Sequence, residues 1–357
     1  MTQRISHLDG QRGLAILLVI LYHAFARWPE LLPYGAQFKD LPPAKYGYLG
    51  VQLFFLISGY VILMTLENCQ AAGQFLRRRW LRLFPAMLVC SLIVFFSAGL
   101  LPERPAGPPH LSSLLPGLSF IDPLWLTWAT GQPIKAIEGA YWTLFVEFKF
   151  YVFAALIHYW RGRTALLLAL VAAYASTLLA PAASQDGAWA GSPAMATVSD
   201  LLYALSFEHF GWFAAGAALY IHARDRRAVW LLIALCCTLL SSLTSYGPDA
   251  GAVPAALLMA LFFAISLDSR LAQQVLNTRP LQFLGGISYP LYLLHENMMV
   301  ALIVKFGHHC PPPLQPWLII PAGAIVCALA YAVATWAEPR LKRLLTGQTS
   351  GQHKAPA

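Results

Sequence analysis

The chain has 357 residues, of which 58% are hydrophobic and only 11% charged, where an ordinary soluble domain carries about a quarter charged. That excludes an ordinary soluble domain and implies an integral membrane protein. The formal net charge of +8 calls for no nucleic-acid partner, because the cytoplasmic loops of membrane proteins gather Lys and Arg in any case.

Apolar runs of about 20 residues recur along the whole length, the pattern of spanning helices; barrel strands are shorter and alternate. Ten segments are expected: 13 to 27, 48 to 67, 83 to 101, 140 to 159, 164 to 181, 201 to 222, 228 to 246, 253 to 269, 286 to 306 and 316 to 337. The expected fold class is all-α, a polytopic membrane helix bundle of about ten transmembrane helices.

The first segment, in LDGQRGLAILLVILYHAF, puts Arg12 at one end and His23 near the other. Eleven residues at about 100° each make roughly three turns, so on a helix the two share a face, about 16 Å apart along the axis. Arg4, Arg12, the apolar run and the triplet Ala24-Phe25-Ala26 also imitate a cleaved signal peptide, which would remove His23. A retained first helix is the reading adopted.

Lys and Arg alternate between the two sides. Arg4, Arg12, Arg77, Arg78, Arg79, Arg82, Arg161, Arg163, Arg224, Arg226, Arg227, Arg270, Arg279, Arg340, Lys342, Arg343 and Lys354 fall on one; Arg27, Lys39, Lys45, Arg104 and Lys135 fall on the other. The bias places both termini in the cytoplasm. The longest connection, about 102 to 139, then lies outside, and its patch LSSLLPGLSFIDPLW is either a re-entrant segment or a plain surface loop. The six cysteines show neither metal-type spacing nor a disulfide framework.

Ionisable groups deep in a span are costly and usually face a cavity or a partner. His23, Glu147 with Lys149, Glu208 with His209, and His295 with Glu296 qualify. Each also has a plain structural reading: a histidine bonded to a carbonyl, Lys149 snorkelling, Glu147 serving another helix. Arg77, Arg78, Arg79 and Arg82 in FLRRRWLRLFPA satisfy the positive-inside bias, yet four guanidiniums within six residues also suit a polyphosphate. His308, His309 and Cys310 have no further ligand at useful spacing, so no metal is expected.

Taken together these motifs resemble the acyltransferase-3 family of bacterial membrane-bound O-acyltransferases. LDGQRGLAILLVILYHAF is similar to the family's opening Arg, ten residues, then His. GVQLFFLISGYVI resembles its second-helix motif (Gly50, Phe54, Phe55, Ser58, Gly59, Tyr60), and RRWLRLFP its arginine motif (Arg78, Arg79, Arg82, Pro85). WTLFVEFKFY resembles its Trp-x-Leu-x-x-Glu segment (Trp142, Leu144, Glu147), and ISYPLYLLH its late Ser-Tyr motif (Ser288, Tyr289, Tyr292, His295). Lys149 departs from the acidic or polar residue that many members carry there. The resemblance implies an acyltransferase-3 transmembrane domain over 1–345, with 346–357 a disordered cytoplasmic tail. No lipase-like domain follows, so a second transfer step would need another protein.

The resemblance further implies transfer of an acyl group, commonly acetyl, from cytoplasmic acyl-CoA to a hydroxyl of a glycan or glycolipid such as lipopolysaccharide, in the bacterial inner membrane. Arg78, Arg79 and Arg82 would hold the nucleotide phosphates, with Arg12 above them. His23 would be the general base, and Glu147 would orient it. Ser58, Tyr60 or Tyr289 would supply an oxyanion donor, and His295 is a further candidate at the substrate. Direct transfer is favoured over an acyl-His23 intermediate. The alternative class is a proton-coupled secondary transporter or flippase, which would also bury His and Glu, but no inverted repeat is seen.

Overall fold

The computed structural model describes residues 5–185, 192–247 and 249–347, and among them there are helices and no strands. Of the expected disordered tail at 346–357, residues 348–357 lie outside the described residues. Helix α1 (Ser6–Phe25) leads through the single turn α2 (Pro42–Lys45) into α3 (Leu49–Glu67) and α4 (Ala72–Ser97). The 102–139 connection carries α5 (Leu114–Ser119) and α6 (Pro123–Thr130). There follow α7 (Trp142–Gln185), α8 (Pro193–Ala204), α9 (Phe210–Asp225), α10 (Ala228–Tyr246), α11 (Ala252–Asp268), α12 (Arg270–Leu276) and α13 (Arg279–Gly307). The chain closes with α14 (Ile319–Ala332), a π-turn over Val333–Ala337, and α15 (Glu338–Thr346).

Among the described residues seven helices are long and apolar enough to cross a membrane, and an eighth is added if α11 and α12 count as one span bent by 105°. The protein is a multi-pass membrane protein. The ten segments expected from hydropathy arise by dividing α7 at Gly162, where φ is 82°, and by adding α9 and α11, whose 16 and 17 residues are too short alone. A positive φ suits Gly because no Cβ opposes it, so the break falls there and not at the flanking arginines.

At the centre stands α13, with 89% of its apolar window buried, against 22% for the stretch containing α14. It packs along α1, which in turn packs on α3, and α3 lies against α9. The α3–α9 approach needs hydrogen in place of a methyl: a Cβ on Gly216 would overlap the Leu56 carbonyl, and one on Gly59 the Phe213 carbonyl. Small residues permit such close crossings in membranes. Gly216→Ala is therefore expected to lower stability by about 1–3 kcal/mol. Gly73→Ala, with nothing within 4 Å, should stay within about 0.5 kcal/mol. Equal thermal midpoints for the two variants in detergent would contradict this crossing.

The 102–139 connection folds back onto the bundle. Phe120 stacks on Phe148 with ring centroids 5.4 Å apart, and Trp125 Nε1 donates to the Ala204 carbonyl at 3.1 Å. Lys149 does not snorkel; its Nζ donates to Asp122 Oδ2 at 2.7 Å and Ser206 Oγ at 2.9 Å. Of the two readings of this patch, the structure has the one in which it returns against the helices.

Candidate active site

His23 lies in the last turn of α1 and is buried. Its Nδ1 donates to the Val19 carbonyl, one turn earlier, at 2.8 Å. His295, on α13, is fully buried, and its Nδ1 donates to the Tyr292 carbonyl at 2.9 Å. A carbonyl only accepts, so in both neutral rings the proton sits on Nδ1. His295 Nε2, 3.2 Å from His23 Nδ1, then accepts from the N–H that His23 shares with Val19. One nitrogen remains uncommitted: His23 Nε2, with its lone pair. His23 lines a cavity, with about 950 Å³ of empty space that includes its open mouth, together with Arg27, Gln52, Trp142 and Glu296.

A second cavity, with about 750 Å³ of empty space, is lined by Arg12, Arg79, Arg82, Ser58, Glu147 and Tyr289. Arg12 is paired with Asp9 at 2.7 Å. Arg79 is buried, donates to Thr65 Oγ1 and lies over the Phe75 and Tyr151 rings at 5.5 and 5.7 Å. Arg82 is exposed at the rim. The two cavities share Val51 and Tyr292 in their walls. Tyr292 is fixed there: its hydroxyl donates to the Ala140 carbonyl at 3.1 Å and accepts from Thr143 at 3.0 Å.

Several expected residues fall elsewhere. Glu147 does not orient His23; its Oε1 accepts from Ser58 at 2.6 Å and Tyr151 at 2.5 Å, in the arginine cavity. The group that reaches His23 is His295. Arg78 is exposed, directed at Cys69 Sγ at 3.3 Å, and lines neither cavity. Tyr60 packs its ring on Tyr220 and Phe263, away from both. Ser58 donates its O–H to Glu147 Oε1, and Tyr289 donates to the Leu83 carbonyl at 3.1 Å. None of the three oxyanion candidates thus holds a free O–H inside the site. His209 is wedged between Trp142 and Phe55, with ring centroids 5.0 and 5.7 Å away. No group of three or more His, Cys, Asp or Glu among the described residues could hold a metal.

Sequence reasoning missed a buried polar cluster of Arg104, Glu138 and Asn297 beside the segment that carries Ala140, whose N–H is Glu296's partner. Glu138 is buried and accepts from Asn297 Nδ2 at 2.6 Å and Asn297 N–H at 3.1 Å. Arg104, also buried, lies 3.7 Å from it and donates to the Ile137 carbonyl at 2.7 Å. Glu296 accepts from the Ala140 N–H. Only Glu296 adjoined a motif; Arg104 and Glu138 sit in the long connection, where nothing in the sequence marks burial. Burial, with the Glu296 carboxylate nearby, pushes the Glu138 carboxyl up to about 8, Arg104 offsetting part of the rise. A folded-state value raised above 4.5 gives stability that is full below 4.5 and is lost as pH rises through about 8. Raising the pH from about 6 to about 9 should lower the wild-type thermal midpoint more than that of Glu138→Gln, which has no such proton to lose. Parallel pH profiles for the two proteins would contradict this assignment.

A family model described as an acyltransferase domain matches residues 5–336. The chain is similar to the O-acetyl transferase of Shigella phage Sf6, 26% identical over 171 residues, 46% of this chain and 49% of that one. It is similar to the peptidoglycan O-acetyltransferase OatA of Listeria monocytogenes, 26% identical across 92% of this chain and 54% of that protein. A putative membrane-bound transacylase, BcsY of Komagataeibacter xylinus, is 29% identical over 47% of this chain and 42% of its own. The chain thus spans about half the length of these relatives. No solved structure matches it.

Proposed function

Since the chain belongs to the acyltransferase-3 family, whose model covers residues 5–336, we propose that it transfers an acyl group, acetyl in the simplest case, from acyl-CoA to a hydroxyl of an envelope glycan. In this reading about ten segments cross the bacterial inner membrane with both termini in the cytoplasm, as the Lys and Arg bias supports. The arginine cavity then opens toward the cytosol and the histidine cavity away from it.

Arg79 and Arg82, with Arg12 deeper in the wall, give the donor's phosphates charge-assisted partners. The slim pantetheine arm runs past Val51 and Tyr292 toward His23. His23 Nε2 takes the proton of the acceptor hydroxyl as its oxygen attacks the thioester carbon. The C–S bond breaks, and the imidazolium returns that proton to the leaving thiolate. His295 orients the ring and shares the Nδ1 proton. Glu147 instead anchors Ser58 and Tyr151 and sets a negative charge among the arginines.

The observation that carries this reading is the tautomer. Of the four nitrogens of His23 and His295, two backbone carbonyls and the ring-to-ring contact commit three and leave His23 Nε2 as a base on a residue lining the cavity. The test incubates membranes containing the protein with radiolabelled acetyl-CoA and the polysaccharide of cells lacking the gene. Label in the polysaccharide is expected. Acetyl-CoA left intact by well-expressed protein overturns the proposal.

A further inference from the structure

The cavity beside His23 holds more polar groups than one proton transfer uses. Gln52 is 8% exposed, lines the cavity, and has no hydrogen-bond partner for its amide oxygen among the described residues. The hydroxyl of Tyr246, on the same wall, is likewise buried without a partner there. Glu296 lines the cavity too and is held in place by the Ala140 N–H. After a small side-chain rotation the Gln52 oxygen and the Tyr246 hydroxyl, both on residues of one cavity wall, would gain partners from a polar guest.

The remaining walls narrow its chemistry. Trp142, whose indole also packs on Phe55 and His209, lines the cavity. Tyr22, Tyr48 and Tyr246 follow one another around the wall with ring centroids 5.6 and 5.1 Å apart. A lipid chain would leave the Gln52 amide, the Glu296 carboxyl and the Arg27 guanidinium on this wall unsatisfied, and a bare polyanion would engage Arg27 but leave the aromatic rings uncovered. A sugar ring answers both demands, offering a C–H face to the aromatics and hydroxyls that donate and accept.

We infer that Gln52 and Glu296 form an acceptor subsite that grips the hydroxyl next to the one acylated, so the guest is a pyranose with a vicinal diol lying over Trp142. The neighbouring hydroxyl donates to one of the two groups while Gln52 meets its oxygen or its partner's. An amide carries both donor and acceptor, so it serves the diol in either orientation. Holding that hydroxyl fixes which one faces His23 Nε2, which makes Gln52 a determinant of the position acylated. The inference rests on the proposed function for its reaction, though not for its binding.

Full-length protein in lipid nanodiscs is titrated with methyl glucoside, methyl galactoside and methyl rhamnoside, and with their monodeoxy analogues, by saturation-transfer NMR. At least one intact glycoside is expected to bind, with the analogue lacking a ring hydroxyl weaker by roughly fivefold to tenfold. In Gln52→Met the intact glycoside should fall to the level of its analogue. If Gln52→Met fails to fold, Gln52→Asn and Trp142→Leu serve instead, and both should weaken binding. No binding to wild type, or equal binding by wild type and the variants, overturns the subsite. Acetyl transfer to polysaccharide is measured on the same nanodiscs. Transfer without glycoside binding overturns this inference alone, whereas binding without transfer overturns the proposed function and leaves the subsite standing.

Discussion

His23→Ala is expected to lower acyl transfer by about a hundred- to ten-thousandfold, the usual contribution of a positioned general base. The variant removes the one ring nitrogen that the fold leaves uncommitted. His295→Leu should fall between wild type and His23→Ala, because it leaves the base and removes only the ring that steers it. Initial rates with labelled acetyl-CoA, normalised to protein quantified in the membrane, test both. A His23→Ala enzyme at the wild-type rate would remove the base from the mechanism.

Arg82→Ala should raise the KM for acetyl-CoA by about tenfold to a hundredfold with little change in kcat, since one charged hydrogen bond to a phosphate is lost. Arg78→Ala should leave KM near wild type, because that side chain points at Cys69 outside the cavity. Arg79→Ala should raise KM and also lower the thermal midpoint, since the same guanidinium holds Thr65 and covers two aromatic rings. Equal KM shifts for Arg78→Ala and Arg82→Ala would mean that the donor does not lie in this cavity.

The three arginines show where sequence reasoning stops. Their cluster stands out in FLRRRWLRLFPA, yet which of them faces the interior depends on how α4 is rotated about its axis, and packing alone sets that. The same holds for Glu147, whose place deep in a span was readable but whose partners Ser58 and Tyr151 were not. The His23–His295 contact joins residues 272 positions apart, and no local periodicity reports so distant a pair. Tyr60 was readable in principle. It follows Ser58 by two residues, about 200° round a helix, so the two could not line one cavity. The helices themselves were legible because long apolar runs have few alternatives in a bilayer. The break at Gly162 falls between the expected spans 140–159 and 164–181, whereas the one at Ser206, where φ is also positive, interrupts the expected 201–222 span and is harder to read.

Val51 and Tyr292, shared by the two cavities, have a consequence for the energetics of the cell. A water-filled pore from end to end would let protons run down their gradient each time the enzyme stood idle. The Tyr292 hydroxyl is tied to Ala140 and Thr143 in the wall common to the two cavities, and on the proposed function a thin thioalkyl arm would pass there while this tether holds the ring in place. If the proposed function holds, acylation outside the cell would draw on an internal thioester pool without discharging the membrane voltage.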